Sequence, residues 1–183
     1  MSIRFSSPTL KFSISGLRGH VPADLNPFNI PEFIEAFHKT VPAGKIAVAK
    51  DARESSDFIE KLVVATLISL GRDVIVLGMV STPTIKAYVR LKKLAGGIMI
   101  SASHNPLPYN AFKFIAKGGD FFSEELNQRW KQYLSVKNND QSFTEKFGME
   151  IKEDSAADLH LQHVLSVIQL NLSRKIKIVI DPV

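Results

Sequence analysis

Cysteine is missing from all 183 residues, so neither a disulfide framework nor a thiolate metal site is available. Long apolar runs are missing as well. The longest uninterrupted stretches are a few residues, against the roughly 20 that a spanning helix needs, so no membrane partner is expected. The opening Met-Ser-Ile-Arg-Phe-Ser-Ser lacks the apolar core of a secretory signal, and a cytoplasmic location is the expectation. No cluster of Lys and Arg with interleaved aromatics occurs, which argues against nucleic acid as a partner. No G-x-S-x-G elbow occurs either, which argues against a serine hydrolase.

What is present is the composition of an ordinary globular chain, 45% apolar and 22% charged. At roughly 100 to 200 residues per domain, the length predicts one domain, or one and part of another. The net charge of +5, from 23 basic against 18 acidic residues, is uneven. Residues 1–120 hold 15 Lys and Arg against 9 Asp and Glu, which leaves 8 against 9 for residues 121–183. The front two-thirds therefore carries a positive field that favours anionic ligands, phosphorylated small molecules above all.

Short β-rich segments alternate with helical periodicity. Residues 10–15 read as a strand. Residues 30–41 read as a helix, with Phe33 and Phe37 one turn apart and Pro31 in the first turn. Residues 45–50 place Ile46 and Val48 at period two, and Ser55-Ser56 offers caps to a helix that ends at Gly71. A buried strand over 74–77, a helix opened by Thr82-Pro83-Thr84 and a strand over 97–100 follow. Residues 112–115 form a further strand, with Gly118-Gly119-Asp120 as a tight turn. Ser123 then caps a helix to about Leu134, with Glu124 and Glu125 in its first turn.

This alternation predicts an α/β fold, a three-layer α/β/α sandwich around a mostly parallel mixed sheet that binds ligands beyond the carboxyl ends of its strands. Residues 135–154 are polar and read as a connector. The expected organisation is a domain over 1–150 and the opening of a second, incomplete α/β domain over 151–183, with a helix over 156–169 and a strand over 176–180. An unpaired edge on that last strand predicts self-association.

Chemistry concentrates in Ile100-Ser101-Ala102-Ser103-His104-Asn105-Pro106, which directly follows a buried strand. A serine hydroxyl there needs a base, a metal or cations to act as a nucleophile, and His104 and Lys113 are the nearest candidates. On spacing alone, these residues serve more simply as turn caps. A second polar loop, Ser15-Gly16-Leu17-Arg18-Gly19, sets a planar guanidinium between two glycines, as a phosphate fork or as a solvated arginine on a turn. Asp51 and Arg53 after the next strand read as architectural, pairing with each other or capping a helix. His160 and His163 lack a third ligand and read as surface residues. Trp130 reads as core.

Taken together, Ser-Ala-Ser-His-Asn-Pro at 101–106 with Tyr109-Asn110-Ala111-Phe112-Lys113, Ser15-Gly16-Leu17-Arg18-Gly19, Asp51-Ala52-Arg53, Thr82-Pro83-Thr84 and Gly118-Gly119 resemble, in order, the first domain of the α-D-phosphohexomutases. That is the phosphoglucomutase and phosphomannomutase family. The resemblance implies an Mg²⁺-dependent phosphoryl shuttle between the 1 and 6 positions of a hexose phosphate, through a hexose bisphosphate. It implies that Ser103 carries the phosphoryl group and ligates Mg²⁺, that Arg18 supplies fixed charge, and that Lys113 assists proton transfer. It also implies that His104 orients the loop and that Asn105 holds it, with Arg18, Asn105 and Lys113 meeting the substrate.

Two departures matter. Ala111 stands where the family usually has glycine, which matters only if that position needs a positive φ. The family's Asp-Gly-Asp-x-Asp-Arg metal loop, its sugar-selecting loop and its distal phosphate loop do not occur in these residues. One serine oxygen cannot satisfy near-octahedral Mg²⁺. The sequence therefore reads as a mutase first domain with little turnover by itself. The alternative is a non-catalytic module that keeps only the fold and binds phosphosugars or assembles with another chain.

Overall fold

The computed structural model describes residues 7–135, 146–168 and 176–181. Seven strands form one sheet in the order β1-β2-β6-β5-β3-β4-β7. In chain order they are β1 (Lys11–Ser13), β2 (Gly16–His20), β3 (Ile46–Lys50), β4 (Val74–Met79), β5 (Gly96–Ile100), β6 (Tyr109–Ala116) and β7 (Glu150–Lys152). Strands β5, β3, β4 and β7 pair in parallel, while β6 is antiparallel to both β5 and β2, and β1 is antiparallel to β2. All but β1 and β6 consequently run the same way, as the βαβ alternation predicts.

The helices are α1 (Ile30–Thr40), α2 (Glu54–Ser69), α3 (Thr82–Leu91), α4 (Glu124–Ser135) and α5 (Ala156–Val167). Period-two alternation sorts the strand side chains between two cores. Ile46, Val48, Ile98, Ile100, Phe112 and Phe114 face α1, α2 and α4. Ala47, Ala49, Ile75, Leu77, Met99 and Ile115 face α3 and α5. Trp130 is core as expected: its ring lies 5.1 Å from that of Phe114 and its indole N–H donates to Phe33 O at 3.1 Å. No helix among the described residues is long and apolar enough to cross a membrane.

Several expectations need correction. The Ser15–Gly19 stretch is not a loop. Ile14 and Ser15 make the turn and Gly16–His20 is a strand, because β6 supplies a full ladder for it. Ser55 and Ser56 do not cap α2: Arg53 occupies the cap position, and the Ser56 hydroxyl donates to Asp51 instead, at 2.7 Å. Strand β7 lies inside the expected connector, pairing with β4 from Val74↔Glu150 to Val76↔Lys152. Helix α5 packs against α3 and contributes Ala156 to the core it shares. Residues on both sides of the expected boundary near 150 thus belong to one sheet and its covering helices. Residues 176–180 are described without strand structure and are exposed, so the edge on which self-association was expected is not formed. Part of the expected connector, 136–145, and the end of the expected last helix, at 169, lie outside the described residues.

His160 and His163 do meet partners: Thr84 Oγ1 lies 3.1 Å from His160 Nδ1, and Arg90 Nη2 lies 3.1 Å from His163 Nε2. They tie α5 to α3.

Buried Arg72 closes the carboxyl end of α1. Its guanidinium donates to the carbonyls of His38 (3.1 Å), Val41 (3.3 Å), Pro42 (2.7 Å) and Gly44 (3.2 Å), which a helix end otherwise leaves unpaired. Arg72 Nε also donates to His38 Nδ1 at 3.0 Å, which requires a neutral imidazole. Burial first, then the nearby Arg72 and Lys39 charges, pulls the His38 pKa down to about 4, with Glu35 opposing. An unfolded histidine takes up its proton near pH 6.5, whereas the folded one refuses it until about pH 4. The stability this neutral contact provides above that window is lost as pH falls through it. Melting temperature is therefore expected to drop between about pH 6.5 and about pH 4, and His38→Asn, which can still accept from Arg72, is expected to flatten the drop. Calorimetry across that range checks this, and an equal slope in the variant would contradict the assignment.

Candidate active site

The site is built where β5 ends. Ile100 is the last residue of the strand, and its carbonyl is held by the N–H of Asp51 at 2.9 Å, so the loops after β3 and β5 leave the sheet together. Ser103 stands at φ +57°, a left-handed conformation that non-glycine residues adopt rarely. Its N–H donates to Ser101 Oγ at 3.1 Å, and its own hydroxyl is exposed, 3.4 Å from His104 Nδ1. Asn105 Nδ2 donates to Ala102 O at 2.6 Å, bracing the turn.

Arg18 reaches this loop from β2. It pairs with Ala111 across the ladder, and its Nη1 donates to Asn105 Oδ1 at 2.6 Å. The guanidinium lies 5.5 Å from the centre of the Tyr109 ring. Its Nε is buried with no protein partner, a donor left over for a ligand. Lys113 comes from β6 on the α3 side, half-buried, with Nζ 3.5 Å from Thr82 Oγ1 at the start of α3. Burial lowers its pKa below the ordinary lysine value, and the charge of Asp51 partly offsets this.

Ser103, His104, Asn105, Arg18 and Lys113 all line one cleft of about 370 Å³. The structure thus brings together every residue that the sequence placed in the site. Both ends of the Asn105 amide are engaged within the protein. Ala111 lies in regular extended β6 with no positive φ, so the missing glycine costs this backbone nothing.

The donor set does not suit a metal by itself. Among the described residues no group of three or more His, Asp or Glu side chains converges. The carboxylate of Asp51 is taken by Arg53 (Nε to Oδ2, 3.3 Å) and by the Ser56 hydroxyl.

Sequence reasoning underrated Arg53. Its guanidinium donates to Ser103 O (3.0 Å), to Tyr109 O (3.0 Å) and to Asn105 O, gripping the serine loop from behind. Nothing in its spacing announces this, because the partners are backbone carbonyls some 50 residues away. Asn110 was also missed. It is fully buried and donates to the hydroxyls of Ser55 and Ser56 at 2.9 and 3.0 Å, which joins β6 to the start of α2.

Residues 9–142 match the family described as phosphoglucomutase/phosphomannomutase, alpha/beta/alpha domain I. A phosphoglucosamine mutase from Caldanaerobacter subterraneus subsp. tengcongensis is 37% identical over 130 residues, 69% of this chain and 29% of the relative. One from Clostridium beijerinckii is 32% identical over 180 residues, 93% of this chain and 39% of the relative. The crystal structure of a phosphoglucomutase/phosphomannomutase family protein from Burkholderia thailandensis shares the fold, with a TM-score of 0.72 at 22% identity over 88% of this chain and 36% of that one. The chain spans about a third of the length of the curated relatives it matches.

Proposed function

Because the chain belongs to the phosphoglucomutase/phosphomannomutase family, the α-D-phosphohexomutases, we propose that its cleft carries the phosphoserine chemistry of a hexose-phosphate mutase. The Oγ–P bond of phosphorylated Ser103 breaks as a hydroxyl oxygen at the 1 or 6 position of a hexose phosphate bonds to phosphorus. The sugar hydroxyl gives its proton to a base, and Ser103 Oγ takes one up. The bisphosphorylated sugar returns its other phosphoryl group by the reverse step. Charge in such a transfer spreads over the equatorial oxygens, so positioned cations supply most of the catalysis. Arg18 supplies the permanent charge. Lys113, its pKa lowered by burial, is suited to exchange the sugar proton, because a lysine brought nearer neutrality gives and takes protons readily. His104 and Asn105 set the loop.

The observation that carries this reading is the convergence of Ser103, Arg18 and Lys113, from three separate segments, on one cleft. Ser103 Oγ would be this chain's contribution to a Mg²⁺ site, since among the described residues no group of three or more His, Asp or Glu side chains converges to hold the ion. The names of the relatives favour a glucosamine phosphate among the hexose phosphates. Relatives are about three times as long, and no acidic metal loop occurs in this sequence, so full turnover by these 183 residues is expected to be negligible. The second reading is a phosphosugar-binding or assembly module that keeps the cleft without the transfer. A cytoplasmic location fits substrates of this kind.

Incubation of the chain with a hexose 1,6-bisphosphate and Mg²⁺, followed by intact-mass measurement and peptide mapping, tests the proposal. Uptake of one phosphoryl group at Ser103 is the expected result. A chain that binds the bisphosphate without becoming labelled is the module.

A further inference from the structure

Arg53 is the most heavily engaged cation near the cleft, yet it lies outside it. It borders a separate open groove of about 1010 Å³ on the far side of the serine loop, lined by Phe58, Pro106 and Leu107 among others. Its carbonyl acceptors belong to Ser103, Asn105, Tyr109 and, at 3.5 Å, Pro106, so they span the loop from the nucleophile to the first residue of β6. The guanidinium itself is fixed. Asp51 holds Nε at 3.3 Å, and Asp51 is held in turn by the Arg53 N–H at 3.1 Å and the Ser56 hydroxyl at 2.7 Å. Ser56 is fully buried and also receives Asn110 from β6. A planar fork with several donors can satisfy such divergent carbonyls, whereas a single ammonium cannot.

The loop needs this grip. Ser103 is held in the left-handed region, where a side-chain-bearing residue persists only if its surroundings over-determine it. Its hydroxyl is exposed and its one side-chain neighbour is His104 at 3.4 Å. Contacts within the cleft do not fix the carbonyl of Ser103; Arg53 does so from the opposite side. We propose that Arg53, oriented by Asp51, is the positioning residue for the Ser103 nucleophile: it holds the strained loop so that the hydroxyl faces Arg18 and Lys113, without touching donor or substrate. This rests on the phosphoserine reading for its catalytic consequence, though not for its structural one.

Both consequences are measurable on the intact 183-residue chain. In Arg53→Met, hydrogen exchange of the amides over 101–109 is expected to rise about tenfold or more, while α1 and α4 exchange as in the wild type. Phosphorylation of Ser103 by a hexose 1,6-bisphosphate is expected to slow about 100-fold at saturating donor. The half-saturating donor concentration should be unchanged, since Arg53 does not contact the donor. Arg53→Lys should recover only part of the rate. A bulk structural role would instead lower stability throughout and raise exchange everywhere. If Arg53→Met does not fold, Asp51→Asn, which removes the Nε partner while leaving the guanidinium in place, carries the loop-exchange readout, its rate being set also by the Asp51 charge on Lys113. Unchanged loop exchange in a folded variant overturns the proposal, and so does an effect confined to the half-saturating concentration. If the wild type is not labelled at all, the phosphoserine reading fails and loop exchange alone decides the clamp.

Discussion

Ser103→Ala is expected to take phosphoryl uptake from one group per chain to none, with almost no change in stability. The hydroxyl is exposed and makes no close hydrogen bond, its nearest partner being His104 at 3.4 Å. Removing it leaves no buried group unsatisfied, and surface changes of that kind stay within about 0.5 kcal/mol. Ser103→Gly should lose uptake just as completely while relieving the left-handed backbone, which glycine tolerates freely. A pair of variants, both unlabelled, one neutral and one slightly stabilised, separates chemistry from folding in a way that a single inactive variant does not. Intact mass and thermal melts read both. Labelling that persists in Ser103→Ala would place the nucleophile elsewhere.

Gly16→Ala is expected to have a large effect on the fold, and through the fold on the cleft. Gly16 lies at φ +129°, a conformation essentially reserved for glycine, and a Cβ built there falls 2.0 Å from the carbonyl oxygen of Phe112. That oxygen belongs to β6, the strand on which β2 depends, and Gly16 is the ladder partner of Lys113. The backbone cannot give way without parting the two strands that carry Arg18 and Lys113. Strain and lost pairing together should cost about 3 kcal/mol or more, with loss of Ser103 labelling in whatever fraction stays folded. Gly118, by contrast, has open space where a Cβ would go and no positive φ, so Gly118→Ala is the matched control. Denaturant unfolding of the two variants checks the contrast, and equal stabilities would show that β2 can shift.

The layered fold could be read in advance because period-two alternation in β3 and the one-turn spacing of Phe33 and Phe37 in α1 are local signals that burial then obeys. Ser81 and Ser123 stand at helix starts, each accepting a backbone N–H of the first turn at 3.3 Å. The elements that were misread depend on partners far along the chain. Strand β2 is glycine-rich with an arginine at its centre, and only the ladder offered by β6 makes it a strand. Strand β7 is three residues long, with two charges and one isoleucine, the composition by which an exposed edge discourages unwanted pairing. Ser103, His104 and Asn105 were legible as residue types at the end of a strand. The grip of Arg53 was not, since it is addressed to main-chain oxygens, which no side-chain pattern encodes.

The order of the strands also decides how force enters the molecule. Helix α5 follows β7, at the rim of the sheet opposite β1, and packs on α3. A displacement of α5 therefore has two routes inward: along the sheet through β7, β4 and β3 to β5, or directly through α3, which packs on β5 and whose Thr82 Oγ1 lies 3.5 Å from Lys113 Nζ. The serine loop is thus distant from α5 along the sheet, whereas the Lys113 side of the cleft is coupled to it through α3.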